Sequence, residues 1–102
     1  MQLIWTEIAI KSLNDIFYFY DKFAGKKVAK SMVTNIINYS KTLKKHPFSG
    51  IEEPALAELN QGHRFLICGY YKVFYIIEGK KIFITDVFDT RQNPNNTFKK
   101  LI

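Results

Sequence analysis

Apolar residues recur at helical spacing from the first turn of the chain onward. Ala9, Leu13, Ile16, Phe17, Tyr20 and Ala24 follow the i, i+4, i+7, i+8 rule of an amphipathic helix. A short apolar run, residues 2–5, precedes them, Thr6 can cap the helix and Glu7 sits in its first turn. Gly25 is a helix stop. Val28, Met32, Ile36, Tyr39 and Leu43 then repeat at threes and fours, with lysines on the outer side. Two successive helices with so tight a link predict an αα-hairpin.

The pattern breaks over residues 44–62, where His46-Pro47, Ser49-Gly50 and Glu53-Pro54 are turn signals. One helical turn fits at 55–59. Three runs rich in β-branched and aromatic residues follow, at about 64–68, 71–77 and 82–88. Gly69 and Glu78-Gly79-Lys80 supply the turns between them, so these strands run antiparallel. In the second run Tyr71, Val73, Tyr75 and Ile77 share one face, and Lys72, Phe74 and Ile76 the other. The reading is a single domain, 1–102, of the α+β class: β-αα-βββ, a small antiparallel sheet packed against a helical hairpin.

Composition adds limits. A chain of 102 residues with 47% hydrophobic content can bury one core unaided. One cysteine, Cys68, suits a reducing compartment and excludes an internal disulfide. No apolar run approaches the roughly 20 residues of a membrane span, and residues 1–10 lack the basic start of a signal peptide. A cytoplasmic protein without a membrane partner is expected. The formal net charge of +6 favours acidic or nucleic-acid partners. Thirteen of the fifteen cations are lysines, so the two arginines, Arg64 and Arg91, stand out as bidentate groups.

Candidate chemistry is sparse. His46 and His63 are too few and too far apart for a metal site, and no glycine loop cradles phosphate, so no cofactor is expected. Cys68 reads as a small core residue. Asp86 and Asp89 read as a solvated strand end. What remains is Arg64, Lys72 and Arg91, with His63 nearby. Three cations on one sheet face would repel unless an anion or a partner's carboxylates occupied the site. Such a cluster can hold a scissile phosphate, and cleavage would also need a base and an acid. The simpler alternative pairs Arg64 and Arg91 with Asp86, Asp89 or the Glu52-Glu53 loop.

Several motifs, in order and spacing, resemble one known family. They are the short first strand and helical pair, Pro47-x-x-Gly50, Arg64 opening a strand, Gly69-Tyr70-Tyr71-Lys72-Val73-Phe74-Tyr75, and Val87-Phe88-Asp89-Thr90-Arg91-Gln92-Asn93-Pro94. Together they resemble the RelE/ParE toxins of bacterial type II toxin–antitoxin systems. The resemblance implies growth arrest, neutralisation by a cognate acidic antitoxin, and contact with operator DNA only through that antitoxin.

The superfamily divides by target. RelE-like members cut mRNA on the ribosome with basic residues and a late proton-transfer group, whereas ParE-like members inhibit DNA gyrase. By resemblance, Lys72 and Arg91 fall on arginines of the RelE-like set and Arg64 near its first strand lysine. Leu66 and Thr97, with Phe98 beside it, fall where that set has its second lysine and late tyrosine, and His63 would have to serve as base. Arg-x-Leu-x-x-Gly-x-Tyr-x-Val-x-Tyr after Pro-x-x-Gly resembles the ParE-like branch more closely. The expectation is therefore a gyrase-binding toxin with Arg64, Lys72 and Arg91 as target-binding candidates. A metal-free, ribosome-dependent ribonuclease using those three and His63 is the alternative. A toxin-derived binding module without poison activity is a third.

Overall fold

The computed structural model describes residues 1–59 and 62–91. Helix α1, Glu7–Ala24, starts where the sequence places it. The Thr6 hydroxyl oxygen accepts the Ala9 amide at 3.3 Å, and the same hydroxyl donates to the Ile84 carbonyl at 2.7 Å. One threonine thus caps the helix and ties it to the sheet. Gly25 alone links α1 to α2, Lys26–Ser40, at φ +92°, a conformation that glycine adopts without a Cβ penalty. Helix α2 ends earlier than its apolar spacing predicts. The Ser40 hydroxyl donates to the Ile36 carbonyl at 2.7 Å, and a 3₁₀ turn, Lys41–Lys44, carries Leu43 into the core.

Among the described residues five strands form one sheet: β1 Gln2–Trp5, β2 Ile51–Glu52, β3 Arg64–Cys68, β4 Tyr71–Glu78 and β5 Lys81–Asp89, in the order β1-β5-β4-β3-β2. The α+β layering and the β3-β4-β5 meander follow the sequence reading. The sheet is mixed rather than wholly antiparallel, because β1 pairs parallel with β5, Leu3 opposite Ile82. The crossover through the helical hairpin makes that direction possible. Strand β2 was hidden among turn signals, since two residues show no alternation; it pairs Ile51 with Phe65 and Glu52 with Arg64.

The helices cover one face of the sheet, where Ala9, Leu13, Ile36 and Leu43 meet Leu66, Tyr71, Val73, Tyr75, Ile82, Ile84 and Val87. On the other face Leu56, from a 3₁₀ turn at Pro54–Leu59, packs with Phe65, Phe74 and Phe88. Both faces of β4 are therefore buried, and Phe74 and Tyr75 are fully so.

A bulge interrupts the β4–β5 register, so that Tyr75 opposes Ile84 but Phe74 opposes Asp86. It brings Asp86 under α1, where its Oδ1 accepts the Ser12 hydroxyl and the Val87 amide at 2.8 Å. Asp86 is fully buried, which corrects its reading as part of a solvated strand end. Two donors, the Ser12 hydroxyl and the Val87 amide, converge on its Oδ1 and offset part of the cost of burial.

Candidate functional site

The candidate cations do not share one face. Arg64 lies opposite Tyr75, and Lys72 opposite Ile67. Side chains alternate along a strand, so Arg64 and Lys72 project from opposite faces of the sheet. The expected three-cation cluster is not formed.

Each cation has a partner set of its own. Arg64 donates from Nη1 to the Gly50 carbonyl at 2.9 Å, meets Glu52 at 3.4 Å, and lies 5.3 Å from the centre of the Phe48 ring. Lys72 stands 3.6 Å from Glu53 and 4.3 Å from the centre of the Phe65 ring. Arg91 grips Asp89 through Nε at 3.0 Å and Nη2 at 2.8 Å, with the Tyr70 ring centre 4.7 Å away. Cation, carboxylate and aromatic ring recur three times. The simpler sequence alternative, pairing with Asp89 and the Glu52-Glu53 loop, matches these contacts.

The electrostatics follow. The Arg91 guanidinium holds the Asp89 carboxyl below its usual range, and Arg91 itself is pushed up by Asp89 and by the Tyr20 hydroxyl. Burial, with the Tyr20 hydroxyl 3.2 Å away, pushes Tyr71 upward. These pairs leave little unbalanced positive charge at any one point. Of the three ion pairs, Arg91–Asp89 is the one whose cation is most open to solvent, so a partner's carboxylate can exchange with it. Arg91 is the most accessible of the three, with its side chain about half exposed.

His63 is not a surface residue. It is 4% exposed, and its carbonyl accepts the Glu53 amide at 2.9 Å. Its Nδ1 has no hydrogen-bond partner among the described residues, and burial lowers its pKa below 6.5. It lines a cleft of about 380 Å³ with Glu52, Glu53, Pro54, Ala57 and Gly62. It shares this cleft with two carboxylates already engaged by Arg64 and Lys72. Leu66 is a core residue on the helical face, and Thr97, Phe98, Gln92, Asn93 and Pro94 lie outside the described residues.

Sequence reasoning named the Glu52-Glu53 loop as a partner for the arginines but not for Lys72. Glu53 was otherwise read as part of a turn. Its Oε1 accepts the Ala55 amide at 3.1 Å and its carbonyl the Leu56 amide at 3.2 Å, so it starts the 3₁₀ turn while pairing with Lys72. Tyr70, Phe48 and Tyr20 carried no signal beyond being aromatic. The Glu52-Glu53 doublet was the available clue, because neighbours on an extended chain point to opposite faces.

A family model described as "ParE toxin of type II toxin-antitoxin system, parDE" matches residues 3–94. The chain belongs to this family. Among solved structures it is similar to one described as a chromosomal ParDE toxin–antitoxin system from P. aeruginosa. That likeness has a TM-score of 0.75 at 25% identity, over 87% of this chain and 95% of the other. No curated protein sequence matches the chain. The ParE match takes in both helices and every described strand but for Gln2 of β1, together with Arg64, Lys72 and Arg91. Among the described residues no helix is long and apolar enough to cross a membrane, and no group of His, Cys, Asp and Glu is placed to hold a metal ion.

Proposed function

We propose that this ParE-family chain acts in the cytoplasm as a single-domain toxin that arrests growth by binding DNA gyrase, and that a cognate acidic antitoxin neutralises it. The observation that carries the reading is the separation of Arg64 and Lys72 onto opposite faces, each with its own carboxylate. Phosphate cleavage needs cations converging on one oxygen cluster and a titrating group within reach of it. Among the described residues the cations do not converge, and the one candidate base, His63, is buried, with 4% of its surface exposed. A poison that works by binding needs neither. Arg91 and Arg64 are the residues proposed to meet the target, Lys72 the third, with carboxylates of the target taking the place of Asp89 and Glu52.

Induced expression should stop growth, and coexpression of the antitoxin should restore it. Plasmid DNA from arrested cells should lose negative supercoils, while primer extension on translated mRNA shows no new 5′ ends. New ends with unchanged supercoiling would support the ribonuclease instead. Undiminished growth would leave only a binding module.

A further inference from the structure

Arg64, Lys72 and Arg91 each face a carboxylate, which leaves the chain's excess positive charge elsewhere. Five lysines, Lys41, Lys44, Lys45, Lys80 and Lys81, are exposed, and none forms an ion pair among the described residues. Two elements carry them. Lys41 and Lys44 open and close the 3₁₀ turn after α2, where a spacing of three stacks side chains on one side. Leu43, fully buried, holds that turn to the core and leaves the lysines outward. Lys80 and Lys81 lie at the turn between β4 and β5. Strand β1 brings the two elements together. The Met1 nitrogen donates to the Lys44 carbonyl at 3.3 Å, and the Gln2 amide to the Lys80 carbonyl at 3.0 Å. Successive Cα atoms are about 3.8 Å apart, so those two carbonyl oxygens stand within about 10 Å of each other. Both contacts use the backbone, and the lysine ammonium groups take no part in them. Glu78, opposite Lys81, is the acid on the strand turn, and residues 22–51 contain no aspartate or glutamate.

We propose that this end of the sheet is a direct contact surface for duplex DNA, held by its phosphates. A duplex carries one negative charge per about 1.7 Å of its axis, so a patch of this width faces several phosphates at once. Cations at a helix C-terminus also favour the helix dipole, which accounts for Lys41, Lys44 and Lys45. It does not account for Lys80 and Lys81, which sit on a strand turn. A protein partner fits less well, because protein interfaces are depleted of lysine, and a lysine is a point charge with no planar fork to match a carboxylate. An anionic bilayer also offers phosphate, but it holds best where a broad apolar face enters it. Met1, Gln2, Thr42 and Gly79, which lie between the lysines, form no such face. The contact is made by this chain itself, in addition to the operator contact expected through an antitoxin.

The test is fluorescence anisotropy of a labelled duplex of about 30 base pairs with the full chain, between about 0.05 and 0.2 M NaCl. Five phosphate contacts predict that log K falls with log salt at a slope of about −4. Lys44→Gln with Lys80→Gln should make that slope shallower by about two and weaken binding about tenfold or more at about 0.1 M salt. Lys41→Gln with Lys81→Gln should act alike. Lys26→Gln with Lys27→Gln removes the same charge beside Gly25, at the far end of the helical hairpin, and should leave the slope unchanged. These side chains are exposed, and melting curves like that of the wild type identify the folded variants. An equal fall in all three pairs would show a diffuse effect of net charge and overturns the proposal. So does an absence of binding at about 0.05 M salt, or binding to phosphatidylserine vesicles without binding to DNA. The assay holds no gyrase, so its failure leaves the gyrase reading intact, and failed gyrase inhibition leaves this contact intact.

Discussion

The Tyr75 hydroxyl accepts the Gly50 amide at 2.9 Å and donates to the Pro47 carbonyl at 2.8 Å. A residue at the centre of the sheet thereby fixes the loop that carries Phe48 and leads into β2. A Cβ on Gly50 would collide with that hydroxyl and stand 2.8 Å from the backbone oxygen of Phe65. The spacing Pro47-x-x-Gly50 is thus a packing requirement for positioning Arg64, which also bonds the Gly50 carbonyl. Gly50→Ala should cost about 1–3 kcal/mol by overpacking. Tyr75→Phe should cost a similar amount, about 1–3 kcal/mol, by leaving the Gly50 amide without its acceptor. Urea unfolding measures both, and unchanged midpoints would show that the loop is held by other contacts.

The buried pair under α1 gives a second expectation. Ser12→Ala removes a hydroxyl donor from the Asp86 carboxylate while leaving the Val87 amide in place. Losing one partner of a buried hydrogen bond costs about 1–3 kcal/mol, so the urea midpoint should fall accordingly. A loss well under that range would mean that Asp86 draws its stability from elsewhere.

The pH dependence has a definite sign. His63 has a pKa below 6.5 when folded, because burial disfavours its charged form, and the ordinary value when unfolded. Below that ordinary value the unfolded chain binds the extra proton more readily. Stability should therefore be full above pH 6.5 and fall as the pH drops toward the folded pKa. Asp89 has a lowered folded pKa and adds a separate loss below the ordinary carboxyl value of 3.8. Unfolding free energies at intervals between pH 7 and pH 3 should show both phases. The upper phase should vanish in His63→Gln, and its persistence would assign it to another group.

Much of the fold was legible because its signals are local. Thr6, Gly25, Gly69 and Gly79 mark where elements begin and turn, and the β4 alternation placed Tyr71, Val73 and Tyr75 on one face, which the structure shows to be the one under the helices. The site was less legible because its partners are set by register. Nothing between Phe48 and Glu53 reveals that Glu52 and Glu53 meet cations on opposite faces until Ile51 is known to pair with Phe65. Asp86 looked exposed because the bulge that buries it has no residue signature. The cations and their carboxylate partners were visible in the sequence; which carboxylate meets which cation, and on which face, was not.

Arg91 and Arg64 should separate function from folding. Arg91→Ala removes an exposed side chain that pairs with Asp89 and lies over the Tyr70 ring, both at the surface, so thermal melting should stay near wild type while toxicity falls. Arg64→Ala also loses the bond to the Gly50 carbonyl and should lower stability by about 1 kcal/mol along with toxicity. Colony counts under induction, read beside melting curves, measure both. An unfolded Arg91→Ala protein would make that residue structural.

The most direct test of the account is a titration of the purified chain into a gyrase supercoiling reaction, with the same preparation added to ribosomes translating a defined mRNA. Binding without cleavage predicts dose-dependent loss of supercoiling, reversed by the antitoxin, and intact mRNA. Full supercoiling beside mRNA cut on the ribosome would contradict it.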